Sequence, residues 1–83
     1  MKFNVQVKVM PLKELLDPQG KAVHHALESL GLSAVADVRI GKFLELQVNG
    51  EDEQAVRRQV EEACRRLLAN PVMEDYTFTI EKQ

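Results

Sequence analysis

The residues most able to do chemistry are few: the neighbouring pair His24-His25, the single cysteine Cys64, the acidic pair Glu74-Asp75, and Gly20 at a helix start. Neighbours on a helix point about 100° apart, so His24 and His25 do not converge on one metal ion, and a zinc site needs a second ligand cluster that the chain lacks. They read as helix-surface residues, with His24 spaced to pair with Glu28 and His25 with Lys21. Cys64 falls on an apolar stripe between Val60 and Leu67, where a thiol behaves as a small hydrophobe and not as an activated nucleophile. One glycine is far short of a phosphate-binding loop, and Asp17 beside it repels phosphate, so capping is the better reading of Gly20. Glu74 and Asp75 have no apolar surroundings to raise a carboxyl pKa and read as loop charges.

These residues are positioned by a simple series of elements. Phe3, Val5, Val7 and Val9 alternate with polar residues and define a strand with one apolar face, closed by Pro11. Asp17 suits a helix N-cap and Pro18 the first helical position. Val23, Ala26, Leu27 and Leu30 make an apolar stripe, and Gly31 ends that helix in the left-handed region. Val38 and Ile40, then Leu44, Leu46 and Val48, alternate with polar residues. A two-residue turn at Gly41-Lys42 would put those two sets on opposite faces, which leaves a three-residue loop at Gly41 to Phe43 or one long strand that overhangs its sheet and pairs with a second subunit.

Asn49-Gly50 turns the chain into a second helix with acidic residues first and arginines last, which suits the helix dipole. Val56, Val60, Ala63, Cys64 and Leu67 form its buried stripe. Arg57-Glu61, Arg58-Glu62, Glu61-Arg65 and Glu62-Arg66 are spaced as solvated ion pairs. Asn70-Pro71 stops the helix, and Tyr76, Phe78 and Ile80 alternate in a last strand. The order strand, helix, strand or strand pair, helix, strand predicts a single α+β domain over residues 1–83: a ferredoxin-like layer in which an antiparallel sheet carries two helices on one face.

Composition narrows the functions. At 83 residues the chain is one small domain, and its single cysteine allows no internal disulfide. A core of this size supplies about 3–5 kcal/mol, so association with other subunits is the expected source of further burial. The net charge of −2, with three Phe, one Tyr and no Trp, leaves neither a basic face nor a stacking platform for nucleic acid. No apolar run is long enough to span a membrane, and Met1 leads directly into strand pattern without a signal peptide, so the reducing cytoplasm is expected. The second sheet face carries Asn4, Gln6, Arg39, Phe43, Gln47, Thr77 and Thr79, a neutral surface suited to meeting another subunit. Phe43 is its one large apolar side chain, read either as an interface residue or as a singly exposed aromatic.

Three stretches, in order, resemble one family: Asp17-Pro18-Gln19-Gly20-Lys21-Ala22-Val23; Asp37-Val38-Arg39-Ile40-Gly41-Lys42 running into Phe43-Leu44-Glu45-Leu46; and Leu67-Leu68-Ala69-Asn70-Pro71-Val72-Met73-Glu74-Asp75-Tyr76. Together they resemble the PurS small subunit of phosphoribosylformylglycinamidine synthase, across essentially the whole chain. The resemblance implies an accessory subunit of a purine-biosynthesis ligase, with no catalytic, cofactor or metal site of its own. In that family a glutaminase subunit releases ammonia, and a large synthetase subunit, holding ATP and magnesium, joins it to formylglycinamide ribonucleotide. The small subunit, as a homodimer or tetramer, helps bring the two together. Beside the resemblance, subunit contacts are expected at Arg39, Gly41 and Lys42 of the mid-chain strand and at Asn70, Pro71, Glu74 and Asp75 before the last strand, with Phe43 added from the reading of the second sheet face. For Gly41 and Pro71, plain chain geometry is the competing explanation. His24-His25 and Met10-Pro11 depart from the family pattern, so no function transfers to them. Two other readings are a ferredoxin-like regulatory module holding an amino acid or nucleotide at a dimer edge, which a ligand-induced rise in melting temperature would reveal, and a small enzyme using His24 or His25.

Overall fold

The computed structural model describes residues 1–83. Strand β1 (Lys2–Pro11) is central in a three-stranded antiparallel sheet, with β2 (Lys42–Asn49) on one side and β3 (Glu74–Lys82) on the other. Register follows the alternation in the sequence. Val7 sits between Leu44 and Phe78, and Val5 between Leu46 and Ile80, so the alternating apolar strand positions share one face, with Met10 and Phe43 left on the other. The core is Phe3, Val5, Val7 and Val9 of β1 beneath Val56, Val60, Cys64 and Ala69.

Helix α2 (Glu53–Ala63) lies on that face. Its N-cap Asp52 accepts a hydrogen bond from the Ala55 amide at 2.8 Å. The chain then winds through a π-helical turn, Cys64–Leu68, closed by the Ala69 amide donating to the Cys64 carbonyl at 3.0 Å. The wider turn shifts the phase of the stripe. Leu67, expected in the core, is therefore 82% exposed, while Leu68 and Ala69 turn inward.

Helix α1 (Pro18–Ser29) starts and stops as its sequence dictates. Asp17 accepts from the Gly20 amide at 3.0 Å, and Gly31 has φ 83°. The Gly31 and Leu32 amides donate to the Glu28 and Leu27 carbonyls, both at 3.0 Å, which completes the C-cap. What the sequence does not show is where the helix sits. The radius of gyration is 16.4 Å, against about 12 Å for a compact chain of this length. The longest dimension is 51 Å. A ten-residue strand of about 33 Å followed by a twelve-residue helix of about 18 Å accounts for it. Helix α1 therefore stands off beyond the end of the sheet instead of packing down beside α2.

The return segment also differs from both expected forms. Residues 37–41 belong to no strand, and β2 begins only at Lys42, so there is neither a hairpin at Gly41 to Phe43 nor a continuous strand from Val38. Hydrogen bonding explains the difference: the Ile40 amide donates to Asp17 Oδ2 at 2.9 Å rather than to a neighbouring strand. Val38 and Ile40 are instead held beside α1 through their backbone, the Val38 carbonyl against Gly20 and the Ile40 amide on the N-cap Asp17.

Candidate functional site

The eight residues expected at subunit contacts lie at one end of the sheet, where β1 finishes and the other two strands begin: the register places Lys42, Phe43, Glu74 and Asp75 there, and Arg39, Gly41, Asn70 and Pro71 stand in the segments that lead into β2 and β3. Lys42 lies opposite Val9, Asp75 opposite Met10 and Glu74 opposite Pro11. Lys42 Nζ donates to the Leu68 carbonyl at 3.3 Å and stands 3.9 Å from Glu74 Oε1. Exposed as it is, that ion pair is worth less than about 1 kcal/mol. Glu74 Oε1 also accepts from the Asn70 amide at 2.8 Å. Asn70 Oδ1 in turn accepts from the Val72 and Met73 amides at 2.9 and 3.3 Å, so Asn70 and Pro71 build the turn that aims β3.

Arg39 donates to the Pro11 carbonyl, and Gly41 lies against Met10 and the Val9 carbonyl, where a Cβ would collide with both. Phe43 is on the sheet's polar face opposite Lys8, 53% exposed. Three apolar residues are exposed near this end: Val72 and Met73, which the sequence pattern did not single out, and Leu67, which it placed in the core. Their signal was weak because two sit in a turn and the third on a stripe displaced by the π-helical turn.

Asp17 is the other residue whose role the sequence shows only in part. Beyond capping α1 it ties that helix to the return segment through Ile40, 23 residues on. Its carboxyl is held below the usual range by the Gly20 amide, then the Ile40 amide, with the Arg39 charge adding to them.

Of the groups with chemical potential, His24, Cys64 and Glu74 have structural partners or burial. His24 Nε2 meets the Val35 carbonyl at 2.9 Å, so this nitrogen carries the proton. Cys64 is buried, and burial, with Glu61 nearby, pushes its thiol up and away from reactivity. Glu74 and Asp75 are successive strand residues, so they point to opposite faces and do not act as a pair. The largest surface depression, about 780 Å³, is an open gap among the long side chains of Arg57, Arg58, Gln59, Glu61, Glu62 and Arg65. A helix exterior lined this way lacks the apolar walls of a substrate pocket.

Tyr76 donates its hydroxyl hydrogen bond to Glu61 Oε2 at 2.6 Å, which takes Glu61 out of the expected pairs with Arg57 and Arg65. Arg57 and Arg65 find other partners, Glu53 at 3.4 Å and Glu62 at 3.0 Å, while Arg66 keeps its expected partner Glu62 at 3.5 Å and Arg58 makes no ion pair with it. The bond to Glu61 favours the neutral phenol and raises the Tyr76 pKa, with burial adding to it. Tyr76 is the only tyrosine. An ultraviolet pH titration should therefore give one midpoint above the ordinary value of about 10, and Glu61→Gln should bring it down. The stabilisation from this bond is fully present below the unfolded value and fades as pH rises through the folded one. A midpoint unmoved by Glu61→Gln would contradict the contact.

The fold and its sheet end thus define a ferredoxin-like α+β module whose distinctive features are surfaces. Residues 4–82 match the family model PurS, phosphoribosylformylglycinamidine (FGAM) synthase. The chain is 45% identical over 80 residues to the phosphoribosylformylglycinamidine synthase subunit PurS of Bacillus subtilis, covering 96% of this chain and 94% of that one. It is also similar to the solved PurS of Methanocaldococcus jannaschii, one of the subunits of formylglycinamide ribonucleotide amidotransferase in the purine biosynthetic pathway. There the TM-score is 0.87 and the identity 36%, with 98% of each chain covered. A chain in the structure of PurLQS from Thermotoga maritima superposes with a TM-score of 0.91 at 29% identity, covering 96% of this chain and 98% of that one. The protein belongs to the PurS family.

Proposed function

We propose that this protein is the small, non-catalytic subunit of a phosphoribosylformylglycinamidine synthase, bridging the glutaminase and synthetase subunits and associating with copies of itself. The carrying observation is the likeness, over nearly the whole chain, to a chain of the solved PurLQS assembly. On this reading ATP and magnesium act in the large subunit, and the complex works in the cytoplasm. No helix here is long and apolar enough to cross a membrane.

Physical chemistry gives such a subunit a purpose. Ammonia loose in neutral water is mostly protonated and no longer nucleophilic, so its passage from glutaminase to synthetase needs an enclosed, water-poor path. A small rigid piece wedged between the two catalytic subunits helps hold that path closed. The sheet end carrying Arg39, Gly41, Lys42, Phe43, Asn70, Pro71, Glu74 and Asp75 is the surface proposed for those contacts. It presents charged and amide groups beside bare apolar side chains, the mixture found at subunit interfaces.

The test is reconstitution. The large synthetase and glutaminase subunits from the same source are mixed with and without this protein, and glutamine-dependent formation of the amidine is followed. Activity should depend on its addition; equal rates in both mixtures would refute the bridging role.

A further inference from the structure

The basic side chains of this protein are unevenly sorted. Five are arginine and six lysine; four of the five arginines fall between Arg57 and Arg66, and every lysine lies elsewhere. That stretch holds two glutamates against its four arginines, so it is positive within a chain whose net charge is −2. The helix dipole accounts for Arg65 and Arg66 at the C-terminal end, but not for Arg57 and Arg58, which stand nearer the N-terminus of α2. All four are exposed. Their partners within the chain are too few. Arg57 is held by Glu53 and lies 5.5 Å from the centre of the Phe78 ring, while Glu61 is taken by the Tyr76 hydroxyl. That leaves Arg58, Arg65 and Arg66 around the single carboxylate of Glu62, which Arg65 and Arg66 share. Residues 58, 62 and 65 follow one another along one row of a helix, so these groups form one patch.

We propose that this arginine patch on the back of α2 docks a carboxylate-bearing surface of one of the two catalytic subunits. This rests on the bridging role proposed above: a bridge between two different proteins needs two faces, and the sheet end is only one. A guanidinium fork takes a carboxylate through two parallel hydrogen bonds, and arginine is enriched at protein interfaces where lysine is depleted. Placing arginine here and lysine elsewhere suits such a face, whereas a merely solvated helix exterior is served equally well by lysine. The open gap of about 780 Å³ among these side chains leaves room for those of another protein. Glu62 inside the patch repels a polyanion such as nucleic acid. A protein surface instead sets its carboxylates over the guanidiniums and a neutral or basic group over Glu62.

The test uses the full-length protein with the synthetase and glutaminase subunits from the same source, binding to each being followed by surface plasmon resonance. The double variant Arg58→Ala/Arg65→Ala should bind one subunit at least about 100-fold more weakly, from the loss of two charge-assisted contacts, and the other as the parent does. Both arginines are exposed and alanine favours helix, so folded content by circular dichroism should be unchanged. Arg58→Lys/Arg65→Lys keeps the charge but not the fork, and should stay about 10-fold weaker than the parent. The parent's affinity for that subunit should fall as salt rises.

Lys2→Ala/Lys82→Ala removes the same charge at the opposite end of the sheet and should leave both affinities unchanged. A loss of equal size from this pair would trace the effect to net charge and overturn the docking face. So would arginine variants that bind both subunits as tightly as the parent, and in that case the bridge itself would still stand. A parent protein that binds neither subunit would remove the bridge, and the docking face with it.

Discussion

Val7→Ala should lower stability by about 2–3 kcal/mol, the loss of two buried methyl groups plus the cavity they leave. Val7 is fully buried, placed in the register between Leu44 and Phe78, and belongs to the core beneath α2. A core of this size supplies only about 3–5 kcal/mol, so one such substitution removes most of the margin. The melting temperature should fall by about 10–20 °C at fixed protein concentration, and the urea midpoint with it. Leu67→Ala is the matched control. The same periodic pattern put Leu67 in the core, yet it is 82% exposed, so its substitution should change stability by less than about 0.5 kcal/mol. Equal losses from the two would mean that the π-helical turn does not displace the stripe. A small loss at Leu67 would also leave that residue free for subunit contacts.

That contrast shows what one sequence carries and what it withholds. Strand faces were legible because a period of two leaves no freedom: once Val5 and Val7 face inward, their partners Leu46 and Leu44 must do the same. Helix ends were legible because Asp17, Pro18 and Gly31 act within one turn of where they stand. The phase of the second helix was lost after Cys64, because an extra residue in one turn leaves no mark in hydrophobic periodicity. Ion pairs at helical spacing were only partly legible, since Glu61 prefers a phenol 15 residues away to either arginine on its own helix.

The standing-off of α1 was illegible for a deeper reason. An amphipathic stripe states that a helix needs an apolar partner but not which chain provides it. The candidate surface had the same character. Its residues come from two stretches some thirty positions apart, and only the register of three strands shows that Lys42, Glu74 and Asp75 share one sheet end.

Gly20→Ala should cut the ties between α1 and the return segment. The added Cβ would run into the Val38 carbonyl, which is backbone, and into the Asp17 carboxylate, which the Gly20 and Ile40 amides hold in place. Helix propensity favours alanine over glycine by about 1 kcal/mol, so a merely local helix would be stabilised by this change. The collision works against it, as overpacking typically costs about 1–3 kcal/mol, and it acts where the backbone must yield. The expected net result is destabilisation, with loss of the Asp17 bond to the Ile40 amide and faster hydrogen exchange at Ile40. The pH dependence of the parent supplies a second measure of the same tie. Since the folded Asp17 pKa lies below the unfolded value of about 3.9, its contribution is complete above that pH and lost as pH falls through the folded value. The stability lost by Gly20→Ala at neutral pH should therefore shrink as both proteins are acidified below about pH 4, because the parent then loses the same carboxylate contacts. A Gly20→Ala protein more stable than the parent, with Ile40 exchange unchanged, would show that α1 is not held at the sheet end by this contact, and the geometry that keeps the helix off its own sheet would fall with it.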